Sequence, residues 1–225
     1  ARRAQCVNNL KQIGLGLRNY ESTNACFPWG VWRNAPLDGC AAFPRFGSLV
    51  YVLPYMEGSN IFNAINFIGA SAASPVSAAN SVRNYTGMAI KVSAYVCPSD
   101  MPQTPLDPTT FVGWTLSSYS GMAGTTELWR YSYSTANAEI CRRLDSNGLF
   151  GLNRVHTIPQ TTDGTSNTIA FGEYSRFKNE PGSVFNSWTQ CAWWGDGLSA
   201  SSSRPQCIAY SAVKINAPAS LADVS

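Results

Sequence analysis

The first twenty residues, ARRAQCVNNLKQIGLGLRNY, constrain the chain more than any other stretch. Ala4, Val7, Leu10, Ile13, Leu17 and Tyr20 recur every three or four residues. That spacing puts them on one stripe of a helix, with Arg2, Arg3, Gln5, Asn8, Asn9, Lys11, Gln12 and Arg18 on the other faces. The reading predicts an amphipathic helix through Tyr20 that frays over 21–24 and stops at Phe27-Pro28, because a residue before proline avoids helical geometry. No capping side chain precedes Ala1, and two arginines occupy the first turn, where the helix dipole disfavours cations. A helix continuing upstream of Ala1 is therefore expected.

The remainder reads as short elements among loops. Eighteen Gly and thirteen Pro accompany a charged fraction of 13%, and 44% apolar residues with seven Trp are enough for a core. LVYVLPYM fits either a strand or a helix opened by Pro54, and Ser59–Phe67 a short helix. Strands are expected over Met88–Val96, Thr115–Gly121 and Thr168–Glu173, with a strand or turn at Gly148–Gly151 and a strand or covering loop over 185–194. Residues 69–81 and the Ser/Ala-rich tail read as loop, the tail ordered only where something holds it. Helices first and strands later predict an α+β fold, a long N-terminal helix packed on an antiparallel sheet with long loop insertions. One domain over 1–225 is expected, with 1–24 as the helix and 25–225 as the head.

The same helix carries a resemblance. ARRAQCVNNLKQIGLGLRNYE, then Phe27-Pro28, LPYME, FNAINF, VCPSD and DGTSNTIAFGE occur in the order seen in DUF1559, a family of prepilin-type proteins abundant in planctomycetes. These pieces span about three quarters of the chain. The family's ending, His-Pro-Gly-Gly and then Asp-Gly-Ser, has no counterpart before Ser225. The resemblance implies a type IV pilin-like fold and an apolar membrane helix ahead of Ala1. It also implies a pilin or pseudopilin role in a type II secretion or pilus-like filament. Partners would be further copies or other pilin-like subunits. The head would be periplasmic or extracellular on an inner-membrane anchor, and at the cell surface if assembled. Cys6 and Cys97 both lie in matching segments, and the resemblance pairs them as a disulfide.

Seven cysteines contain no C-x-x-C, which argues against a zinc ribbon or a redox dithiol. Cys26 with Cys40 and Cys191 with Cys207 are expected to close local loops, leaving Cys141 over. Net charge is +3, too small to argue for nucleic acid. Arg2, Arg3 and Lys11 read as a solvated helix face or as contacts to lipid headgroups. No run of eighteen apolar residues is present.

Catalytic signals are weak. His156 is the sole histidine and reads as a loop residue. There is neither a G-x-S-x-G elbow nor a phosphate loop. No catalytic residue and no cofactor are expected, and the protein is read as not an enzyme. Asp163, Gly164, Ser166 and Asn167 read as a side-chain-capped turn or, with Asp163 and Asn167 as ligands, a Ca²⁺ loop. Asp145, Asn147 and Gly148 resemble the front of another calcium loop without its closing Glu. Glu173 is expected to be buried and paired with Arg154 or Arg176. Gly14 and Gly16 imply close approach of helix and sheet, or contact between helices in a filament. Asn84-Tyr85-Thr86 is a lone glycosylation sequon. The competing function is a membrane-anchored surface module that binds polysaccharide, its tryptophans stacking on sugar rings.

Overall fold

The computed structural model describes residues 1–33, 45–67, 84, 87, 90–100, 117–124, 147–151, 154–173 and 208–210. The first element, α1 (Arg2–Asn24), runs one turn further than its apolar stripe implies. Side chains hold that turn: Thr23 Oγ1 donates to the Asn19 carbonyl and Asn24 Nδ2 to that of Tyr20. Asn24 also reaches Tyr55 Oη at 3.1 Å, and the Tyr20 and Tyr55 rings meet edge to face. Ala25, in the left-handed region at φ 57°, closes the helix with its N–H on Glu21.

The buried face of α1 is Cys6, Asn9, Ile13, Gly16 and Leu17, which corrects the stripe expected from hydrophobicity. Val7 is 48% exposed and Ala4 lies outside, while polar Asn9 lies inside. The reason is pairing. Asn9 Nδ2 donates to the Val96 carbonyl at 2.9 Å, so its amide is buried without an unmet bond. Cys6 turns inward because Cys97 is there to bond it. Gly16 admits Val52 and Met56 so closely that an added Cβ would meet them at 2.8 and 2.7 Å.

A hairpin pairs β1 (Val31–Arg33) with β2 (Arg45–Gly47), antiparallel. It leads into α2 (Ser48–Val52), all five residues of which are buried, and a 3₁₀ turn over Leu53–Met56. The ambiguous LVYVLPYM stretch is thus helical, but its helix opens at Ser48, and Pro54 sits in the 3₁₀ turn instead of starting it all. The short helix expected next is α3 (Ser59–Asn63).

Where a strand was expected over Met88–Val96, the described residues hold a 3₁₀ turn at Ser93–Tyr95. The backbone bonds that a ladder would use go elsewhere. The Val96 carbonyl takes Asn9, and the Tyr95 carbonyl takes the N–H of Ser118. Tyr95 is wholly buried, and its hydroxyl donates to the Leu49 carbonyl at 2.7 Å.

The second sheet has β3 (Tyr119–Gly124) at its centre. On one side β4 (Phe171–Glu173) pairs antiparallel, with Tyr119 opposite Glu173. On the other β5 (Ile208–Tyr210) pairs parallel, with an irregularity between Met122 and Gly124. The architecture is α+β. The sheet is mixed, since β5 runs with β3, and β4 is shorter than the Thr168–Glu173 strand expected. Thr168 Oγ1 bonds the Gly164 carbonyl, which keeps that residue in the preceding turn. At 148–151 the chain bends and Gly151 bridges Arg154. The expected calcium-loop start at Asp145, and the strand over 185–194, lie outside the described residues.

Among the described residues, two clusters form the core. One joins Cys6 and Ile13 of α1 to Phe46, Leu49, Tyr95, Cys97 and Tyr119. The other gathers Leu17, Phe27, Val52, Ala123, Leu149 and Phe150.

Candidate functional site

Among the described residues, several polar contacts gather where α1 meets the head. The Cys6–Cys97 disulfide joins residues 91 apart in sequence. Around it, Asn9 bonds Val96, and Tyr119 Oη donates to the Cys6 carbonyl at 3.1 Å. The Cys97 N–H donates to Ser118 Oγ, whose hydroxyl donates to Asp100 Oδ2 at 2.8 Å. Elements distant in sequence thus converge on the second turn of α1. The Tyr119 phenol is held above its ordinary range, first by burial. It stays a neutral donor.

Glu173 ends β4 beside this group and is exposed, so the expected burial is corrected. No described residue forms an ion pair with it, and Arg176 lies outside the described residues. Its carboxyl is pushed up, first by partial loss of water and then by Asp100. An apolar strand before Glu173 implies burial. The strand's end instead reaches solvent.

Among the described residues, one cluster of three candidate metal ligands exists, Cys6, Cys97 and Glu173, with ligating atoms within 4.8 Å of one another. Two of the three are spent on the disulfide. Asp163 and Asn167, the calcium candidates, are exposed and bonded into a turn. Asn167 Nδ2 donates to the Asp163 carbonyl at 3.0 Å and its N–H to that of Gly164. The Asn167 amide therefore presents its nitrogen, not its oxygen, to Asp163.

His156 is buried, and Nε2 has no hydrogen-bond partner. Its main-chain carbonyl accepts the Phe27 N–H at 2.7 Å, tying the loop to the end of α1. Burial, then Arg154, lowers its pKa. Asn84 also proves structural. It is 1% exposed, accepts the Asn66 N–H and donates to the Asn66 carbonyl, so the sequon is closed to a glycan.

Cys26 carries a free, half-buried thiol, and Cys40, its expected partner, lies outside the described residues. It lies just past the left-handed end of α1, near enough to Tyr20 to help push that phenol up to about 12, after burial and ahead of Tyr55. Cys40, Cys141, Cys191 and Cys207 lie outside the described residues. So do Trp114, Trp129, Trp188, Trp193 and Trp194, and with them the expected sugar-binding row. Trp29 is half-buried, edge to face with Tyr51. Sequence reasoning missed the roles of Asn9, Tyr95, Ser118 and Tyr119. Only the Cys6 and Cys97 segments hinted that this region was special. No described helix is long and apolar enough to cross a membrane.

The family model described as a protein of unknown function (DUF1559) matches residues 1–220. No curated protein and no solved structure matches the chain.

Proposed function

The chain belongs to the DUF1559 family, and from that premise we propose that it is the head of a pilin-like or pseudopilin-like subunit, structural and without catalytic activity. The observation that carries the reading is the bolting of α1 to the head. A 23-residue helix is joined to the body by a disulfide in its second turn, with Asn9 and Tyr119 bonded beside the bridge. A helix held so firmly can transmit position or load between the head and whatever its far end grips.

The face turned away from the head supports assembly. Val7 and Leu15 are 48% and 63% exposed on it, and beside them a Cβ at Gly14 would meet nothing within 4 Å. In this reading α1 extends a membrane-spanning helix, the outer face contacts neighbouring subunits, and the head lies outside the cytoplasm, where disulfides persist. No cofactor is required.

The test is expression of the full gene in its native host, followed by shearing of the cells. Leader-processed protein in the sheared surface fraction is the expected result. Unprocessed protein confined to the cytoplasm would overturn the proposal.

A further inference from the structure

The disulfide has an unusual neighbour. Cys6 and Cys97 are 3% and 1% exposed, so little of either sulfur meets solvent. The exposed Glu173 carries a carboxylate oxygen within 4.8 Å of both. Backbone pairing of Glu173 with Tyr119 holds that end of β4 in place. Asp100 stands close enough to act on Glu173 and is itself held by Ser118. No described cation is ion-paired with Glu173.

We infer that Glu173, seconded by Asp100, is an electrostatic guard that slows thiol attack on the Cys6–Cys97 bond. Reduction begins when a thiolate attacks one protein sulfur. A new S–S bond forms, the protein S–S bond breaks, and its electron pair leaves on the other sulfur, which takes a proton from water. A second thiolate then attacks the mixed disulfide, leaving two protein thiols and one oxidised reductant. Both the arriving charge and the charge on the departing sulfur develop beside the carboxylates. The separation lies well inside the screening length of about 10 Å at 0.1 M salt, so the repulsion is felt. Burial excludes bulky reductants, and the charge discriminates among the small ones that enter. This holds whether or not the chain is a filament subunit.

The test measures opening of this one bond, read by alkylation and peptide mass. The reductants are mercaptoethanesulfonate, mercaptoethanol and cysteamine, whose thiolate forms carry net charges of −2, −1 and 0. Rates are corrected for thiolate fraction and taken at low ionic strength. In the wild type, each added negative charge is expected to slow opening on the order of fivefold. Glu173→Gln should compress that spread, mostly by speeding the sulfonate, and 0.5 M salt should compress it in the unaltered protein. The salt arm stands even if the variant is impaired. A spread unchanged by both, or an equal acceleration with all three thiols, would overturn the assignment.

Discussion

At the scale of single residues, the two helix glycines separate cleanly. Gly14 and Gly16 look alike in sequence, each costing about 1 kcal/mol relative to Ala in a helix interior. Gly16 is where Val52 and Met56 press on the backbone, and Gly14 faces open space. Gly14→Ala is therefore expected to stabilise the protein by about 0.5–1 kcal/mol. Gly16→Ala is expected to destabilise it by about 1 kcal/mol net, because Val52 is stiff and overpacking outweighs the helical gain. Chemical denaturation of the two variants measures both. His156 gives a pH dependence. Its folded pKa lies below the ordinary 6.5, so between the two values the unfolded chain binds more protons. Stability is complete above about pH 6.5 and falls as the pH drops below it. Thermal unfolding from pH 7.5 to 5.5 should show a loss that His156→Gln reduces.

At the scale of elements, the attachment of α1 is the feature to break. Replacing Cys6 and Cys97 by Ser reopens a loop of about ninety residues, and the expected cost is about 2–5 kcal/mol. Hydrogen exchange in the variant should rise in the first two or three turns of α1, where Cys6 and Asn9 make the contacts. The last turn should keep its protection, since Tyr20, Asn24 and Tyr55 hold it independently. Uniform exchange along α1 would mean that the helix does not divide in this way. The 88–96 segment teaches the complementary lesson. Its Ala89, Val92, Ala94 and Val96 alternate as a strand would, but strand formation needs a neighbour to accept the ladder. Here the carbonyls of Val96 and Tyr95 accept from Asn9 and Ser118, and the N–H groups of Tyr95 and Val96 turn back to Val92 and Ser93.

At the scale of the whole molecule, the chain runs from α1 through the β1-β2 hairpin and the short helices to the β4-β3-β5 sheet, which is built from the later residues. The mixed pairing of that sheet does not follow from chain order. β5 (Ile208–Tyr210) comes from the tail that reads as loop, and it is held as a strand by β3. The proposed filament also belongs to this scale. A Cβ at Gly14 would meet nothing within 4 Å, and Val7 and Leu15 on the outer face of α1 are exposed, so in the proposed filament these residues could meet another molecule. Shearing of cells that carry the full gene decides whether that face is used.

The sequence by itself determined that a helix opens the chain, that Phe27-Pro28 follows its end, and that Cys6 and Cys97 belong together. Those features rest on local periodicity, on proline's fixed geometry and on segments shared with a family. Only the tertiary structure decided which side of the helix is inward, that Asn9 and Asn84 are core residues, and that Glu173 faces water beside a disulfide. Each of these depends on partners dozens of residues away. A buried amide is stable only when a distant group completes its hydrogen bond, and no local pattern records whether that group will arrive.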